Sequence, residues 1–130
     1  MVKVRPLEQK RLLATAGRHQ IVTDRKIDDG GSDAGCTSGE LLLVAIGSCT
    51  TGSVRNFLRA SGLPTDGLEV NVEFEPSIRP SERDTIAIVI GLSADILAQN
   101  SDAILKAARG GGVVSRMLLG PHVALRCQPV

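Results

Sequence analysis

Aromatic residues are almost missing from this 130-residue chain: Phe57 and Phe74 are its two rings, and it has no Tyr and no Trp. A core made from it is therefore aliphatic, drawn from the 42% of residues that are apolar. An excess of one charge is missing too, since fifteen Lys and Arg face fourteen Asp and Glu for a net +1. No field of one sign exists to gather nucleic acid or an acidic membrane, and there is hardly a ring on which a base could stack. The longest purely apolar run, Leu41 to Ile46, falls far below the roughly eighteen residues of a membrane span. The opening Met-Val-Lys-Val-Arg-Pro lacks an apolar stretch followed by a small-residue cleavage site, so nothing in it marks the chain for export. These absences set the expectation of a cytoplasmic protein with neither nucleic-acid nor membrane partners. Its size fits a single domain over residues 1–130, at roughly 100–200 residues per domain.

Cysteine is scarce as well. Cys36, Cys49 and Cys127 fit no CxxC or Cys/His zinc spacing with His19 or His122, so no metal site is expected. An odd number leaves at least one thiol free unless it pairs between chains.

Short, partly alternating segments at Lys3 to Arg5, Arg11 to Ala16 and His19 to Thr23 read as three antiparallel strands, with Ala16-Gly17-Arg18 as a hairpin turn. The polar, glycine-rich run from Asp28 to Gly35 is a loop. Thr37 stands three residues before Glu40, the capping-box spacing, and a helix is predicted from Ser38 to Ala60. The first half of that helix is apolar nearly all round, which suits enclosure on most sides. Its second half places Val54, Phe57 and Leu58 on one face, and Gly62 with Pro64 stops it.

Residues 68–75 then alternate without a fault, setting Leu68, Val70, Val72 and Phe74 on one face of a strand. Thr85 to Leu92 is a β-branched run that returns antiparallel. Asp95 to Ala108 is helical, Arg109-Gly110-Gly111-Gly112 interrupts, a second helical piece runs from Val113 to Leu119 and ends at Gly120-Pro121, and His122 to Cys127 is a closing strand. Strands in blocks, in the order βββ-α-ββ-α-α-β, define an α+β, antiparallel class. One thin sheet cannot cover so apolar a central helix, so a homodimer is inferred.

Cys49 reads either as a small buried hydrophobe or as a reactive thiolate, the second favoured by its small, partly polar neighbours Gly47, Ser48, Thr50, Thr51 and Gly52. In mid-helix it gains little from the helix dipole, so a lowered pKa is expected to need a cation brought in by the fold or by a partner chain. Gly110-Gly111-Gly112 lacks the GxxxxGK[ST] pattern of a phosphate loop and reads as a hinge. Ser48 does not make a GxSxG elbow, because Gly47 directly precedes it within a helix.

The segment from Asp33 to Thr50, DAGCTSGELLLVAIGSCT, resembles the signature of the OsmC/Ohr family of osmotically induced and organic-hydroperoxide-resistance proteins. In that family a Gly-x-Thr/Ser-Pro-x-Glu-Leu-Leu start leads into a helix carrying the peroxidatic cysteine. Arg18 to Asp24 is similar to the family's second and third strands, and the resemblance extends over about residues 10–128. It implies an intertwined homodimer, with central helices packed between six-stranded antiparallel sheets built from both chains and two active sites at the interface. It also implies reduction of organic hydroperoxides: a thiolate attacks the peroxide, becomes a sulfenic acid and is captured by a second cysteine. Lipoyl-type dithiols or other external thiols reset the pair, and no bound cofactor is implied. By this resemblance Cys49 is the first cysteine, Glu40 the family's glutamate, and Arg18 the arginine that stabilises the thiolate and is oriented by that glutamate. Taken alone, Arg18 is a solvated hairpin residue and Glu40 a first-turn carboxylate. Arg25, Arg55 and Arg116 are further candidates for the cation.

One departure matters. The second cysteine of the family opens a Cys-Pro-Val-Ser/His-Lys/Arg segment, and the corresponding stretch here is Gly112-Val113-Val114-Ser115-Arg116. Gly112 stands in the place of the resolving cysteine. Cys36 precedes the helix and Cys49 lies about eleven residues into it, on the order of 16 Å along its axis, beyond the roughly 7 Å limit for a bridge within one chain. Cys127 reads as a core residue. Three functions follow: a one-cysteine thiol peroxidase reset by an external thiol, a non-catalytic homodimer that binds a hydrophobic small molecule or senses oxidants, and a structural homodimer. Walls of Leu, Ile and Val around Cys49 would favour an organic hydroperoxide, with Phe57 and Phe74 as the rings that could line the pocket.

Overall fold

The structure is a computed structural model that describes residues 1–79, 84–118 and 123–129. The elements are β1 (Val2–Pro6), β2 (Leu12–Ala16), β3 (His19–Thr23), a 3₁₀ turn (Ile27–Asp29), α1 (Ser38–Ala60), β4 (Glu69–Glu75), β5 (Thr85–Leu92), α2 (Ala94–Gly110), α3 (Val113–Leu118) and β6 (Val123–Pro129). The α+β class holds. The expected end of α3 at Leu119, the Gly120-Pro121 stop and His122 lie outside the described residues. The chain falls into two compact units, residues 1–42 and 43–130.

In the first unit β1, β2 and β3 form an antiparallel sheet in that order, with Val2 opposite Ala16 and Leu12 opposite Thr23. Gly17 takes the left-handed conformation, φ 61°, at the first central position of the two-residue β2–β3 turn, where a side chain would be strained. After β3 the chain is organised around one buried carboxylate. Asp24 accepts hydrogen bonds from the Arg25 N–H (2.8 Å), the Ser32 N–H (3.0 Å), the Ser32 hydroxyl (2.7 Å) and the Ala34 N–H (3.1 Å). The Ser32 hydroxyl and these backbone donors hold its carboxyl far below the usual range, against the opposing effect of burial. The loop folds so tightly about it that a Cβ at Gly31 would lie 2.0 Å from the Arg25 carbonyl, and one at Gly35 2.2 Å from that of Val22. Thr23 pairs with Cys36 in a parallel bridge.

In the second unit β4 and β5 are antiparallel, from Glu69 opposite Gly91 to Glu75 opposite Thr85. β6 lies parallel to β5, from Ile86 beside Val123 to Leu92 beside Pro129. The all-antiparallel expectation is thereby corrected: α2 and α3 supply the long crossover that a parallel pair requires. β5 is the middle strand, and Ala87, Ile88, Ile90, Gly91 and Leu92 are buried along it, which explains its nearly unbroken apolar run. The core joins Val54 and Leu58 of α1 to Ile90 and Leu92 of β5 and to Ile96, Leu97, Ile104 and Ala108 of α2. Helix α1 ends in a left-handed Gly62, φ 68°, with Gly62 N–H donating to Arg59 O and Leu63 N–H to Leu58 O, the two bonds of a Schellman cap.

Two exposures stand out in the single chain. Phe74, the next-to-last residue of β4, is 48% exposed. The single chain covers the first half of α1 only in part: Ile46 and Thr50 are buried, but Val44 is 55% exposed and Ala45 and Ser48 are also open. Apolar character on every side of that stretch exceeds what one chain covers.

Two measurements test these energetic readings. Thr50 is fully buried and its hydroxyl has no partner among the described residues; Thr50→Val removes an unsatisfied polar group of the same shape and should raise unfolding stability by about 1 kcal/mol in urea titration. Asp24→Asn should lower the thermal midpoint at pH 7. Because the folded carboxyl is held low, its contribution is fully present above the unfolded value of about 4 and is lost as pH falls below it. The midpoints of native protein and variant should therefore converge below about pH 4; a gap of constant size down to pH 2 would assign Asp24 a packing role.

Candidate active site around Cys49

The opening of α1 is fixed by a reciprocal capping box. The Thr37 N–H donates to Glu40 Oε2 (2.7 Å) and the Glu40 N–H donates to Thr37 Oγ1 (3.2 Å). The other carboxylate oxygen of Glu40 meets Lys26 Nζ at 3.1 Å, and the same ammonium reaches Asp33 at 3.1 Å. The Thr37 hydrogen bond and then Lys26 hold the Glu40 carboxyl below its ordinary value. Both oxygens of Glu40 are thus engaged by groups of its own neighbourhood. Arg18 sits at the β2–β3 turn, exposed and without a hydrogen-bonding or ionic partner among the described residues. Within the first unit, then, Glu40 is paired with Lys26.

Cys49 lies in the second unit, on the strip of α1 that meets the start of α3. Two glycines create that contact. A Cβ on Gly111 would stand 2.2 Å from Ser53 Oγ, and one on Gly112 would stand 1.9 Å from Cys49 Sγ. With no side chain in the way, the first turn of α3 comes against the sulfur. The Ser115 hydroxyl donates to Cys49 Sγ at 3.5 Å.

The Cys49 thiol is held below its ordinary pKa. The Ser115 hydroxyl is the chief cause; burial opposes it, the N–H groups of Ser115 and Val114 add to it, and the charge of Arg116 acts last. The expectation that a cation must supply the shift is corrected here. Neutral donors from α3 act first because they touch the sulfur, and among the arginines considered Arg116 is the one whose charge contributes.

Position 112 carries a second piece of geometry. The Cβ that Gly112 lacks would fall 3.7 Å from Cys49 Cβ, within the roughly 3.5–4.5 Å separation of disulfide-bonded cysteines. The backbone thus retains bridging distance at a position that has no thiol. All three cysteines are free. Cys36 is exposed. Cys127 packs against the core, and burial pushes its thiol up, as suits a core residue.

The Leu-, Ile- and Val-walled pocket expected around Cys49 belongs to a core shared by two chains. Within the single chain a cavity of about 520 Å³ opens beside β4, lined by Leu43, Val44, Gly47, Ser48, Thr51, Gly52 and Arg55 of α1 and by Val70 and Val72 of β4, and its lining includes neither Cys49 nor either phenylalanine. These α1 residues fall on two adjacent strips, 43/47/51/55 and 44/48/52, the second of which borders the strip of Cys49 and Ser53. Arg55, considered for the thiol, belongs to this cavity. Arg25 is exposed in the first unit. Among the described residues no three His, Cys, Asp or Glu side chains gather into a metal-binding group.

Ser115 was the residue that sequence reasoning passed over. Its signal was present in the Val-Ser-Arg that follows Gly112, but a serine in a helical piece ordinarily turns back on its own backbone.

Residues 30–127 match the family described as OsmC-like protein. No curated protein sequence matches the chain. Among solved structures, an OsmC-like protein from Mycoplasma pneumoniae superposes with a TM-score of 0.70 at 14% identity, covering 100% of this chain and 94% of that one. The organic hydroperoxide resistance protein OhrB of Bacillus subtilis gives 0.66 at 13% identity, covering 100% and 96%. An organic hydroperoxide resistance protein from Elizabethkingia anophelis gives 0.71 at 11% identity, covering 99% and 94%. At these identities the likeness is one of fold, and the match along the sequence supplies the rest: the chain belongs to the OsmC-like family.

Proposed function

We propose that the protein is a thiol peroxidase for organic hydroperoxides that works through Cys49 alone. The observation that carries this reading is the pairing of a thiol held toward its charged form by Ser115 with a glycine at bridging distance, where a second thiol would stand. The thiolate attacks the terminal oxygen of ROOH, the O–O bond breaks, and RO⁻ leaves and takes a proton to become the alcohol, while Cys49 becomes a sulfenic acid. One external thiol then condenses with the sulfenic acid, releasing water and forming a mixed disulfide. A second thiolate attacks that disulfide, restoring Cys49 and leaving an oxidised disulfide in solution. A lipoyl-type dithiol supplies both equivalents in one molecule.

A homodimer completes the reading. Val2, Val4, Leu12 and Ile21 in the first sheet, together with Leu42 and Val44 on α1, are exposed in the single chain, more apolar surface than a soluble monomer leaves open. By length and composition alone α1 could also cross a membrane; burial against a second copy accounts for the same apolar character in a soluble, cytoplasmic protein without membrane or nucleic-acid partners. In the dimer Arg18 and Glu40 take the roles that the family resemblance gives them, with Lys26 as the cation that Glu40 must share.

Stopped-flow mixing with cumene hydroperoxide should consume one thiol per chain rapidly in the native protein and show no fast phase in Cys49→Ser. A native rate no faster than free cysteine removes the peroxidase reading. It would leave the second one, a hydrophobic ligand held in the cavity beside β4, to be sought by native mass spectrometry. Gly112→Cys should convert the site to a two-thiol type: after hydroperoxide treatment the variant loses two hydrogens in mass and gains a disulfide-linked peptide pair joining positions 49 and 112, whereas the native chain adds oxygen. Absence of that linkage would mean that the 3.7 Å spacing does not describe the working site.

A further inference from the structure

We propose that Ser115 is a catalytic residue of the Cys49 site, the hydroxyl that holds the sulfur ready for attack and then holds its oxidised form. This rests on the reading of Cys49 as the reacting thiol. Ser115 is 3% exposed, and its side chain donates to a sulfur 66 positions away in the chain.

Three other helical hydroxyls of this unit behave differently. Thr51 donates to the Gly47 carbonyl at 2.8 Å, Ser53 to the Cys49 carbonyl at 2.9 Å, and Ser101 to the Leu97 carbonyl. Each turns back four residues on its own helix, the usual outcome for Ser and Thr in helices. Ser115 has the Gly111 carbonyl at the same offset but donates to Cys49 instead. Gly111 and Gly112 make that choice possible, since a Cβ on either would collide with Ser53 or with the sulfur itself.

A hydroxyl offers this site something that a guanidinium does not. Arginine can only donate, whereas serine both donates and accepts. While the sulfur is a thiolate, the Ser115 O–H points to it. Once the sulfur carries a hydroxyl, Ser115 Oγ can accept the sulfenic acid proton, so one side chain serves both oxidation states. The hydroxyl also keeps its donor at every pH at which the thiol titrates. The charge of Arg116, on α3 itself, acts on the sulfur as well, and α1 contributes no charge from Leu41 to Val54.

Alkylation of Cys49 by iodoacetamide, followed peptide by peptide against pH, reads the thiolate with no peroxide present. In Ser115→Ala the half-maximal pH should rise and the rate at pH 7 should fall about tenfold, the scale of one charge-assisted hydrogen bond. Ser115→Thr, which keeps the hydroxyl, should stay near the native profile. An alanine profile that overlays the native one overturns the proposal, as does an equal loss in both variants, which would mark a steric effect. The peroxidase reading fails separately, by slow hydroperoxide oxidation of the native protein, and the alkylation comparison would still decide whether Ser115 sets the state of the thiol.

Discussion

The close approach of α1 to the turn between α2 and α3 is the constraint on which the rest of the site depends. Ser53 and Cys49, one helical turn apart, face two successive glycines whose missing side chains set the distance between the elements. Everything chemical about Cys49 follows from that distance. The donors of α3 reach the sulfur only because nothing stands between them, and the sulfur occupies the space that a side chain at position 112 would claim. Of a triple glycine that reads in sequence as a hinge, Gly111 and Gly112 are here a packing surface against Ser53 and Cys49.

Much of the scaffold was legible in the sequence because local physics wrote it. The Thr37–Glu40 spacing was enough to find the start of α1, since both bonds of a capping box lie within one turn. Gly62 marked its end for the same reason. The direction of β6 was not legible, because the seven residues of a strand carry no record of whether the chain entered from one end of the sheet or the other. The site divided along the same line. Cys49, Glu40 and Gly112 stood out from a family pattern. Ser115, in contact with the sulfur, did not, because its role exists only where residues 66 apart are brought together. The cavity beside β4 was not legible for a related reason: helical period assigns residues to strips, but which strips of α1 face an opening depends on where β4 lies.

Two carboxylates illustrate how the first unit uses its charges. Asp24 is buried among backbone donors and shapes the loop that leads to α1. Glu40 caps the helix with one oxygen and holds Lys26 with the other. The first is structural by its surroundings. The second has a structural role already satisfied, so a further role toward an arginine has to compete with a lysine at 3.1 Å.

The hydrogen bond from Ser115 to Cys49 also ties reactivity to folding. In the unfolded chain the two residues are far apart and the thiol has its ordinary pKa, about 8.5; in the folded chain the same thiol ionises earlier. By linkage, the free energy that makes the sulfur acidic is folding free energy: as pH rises through the folded value toward the unfolded one, ionisation of Cys49 increasingly favours the folded state, and the gain is complete above the unfolded value. A chain that loosens at the α2–α3 turn loses the Ser115 donor, and with it the chief cause of the lowered Cys49 pKa. The acidity of this sulfur is a property of the packed turn, and a chain without that packing carries an ordinary cysteine.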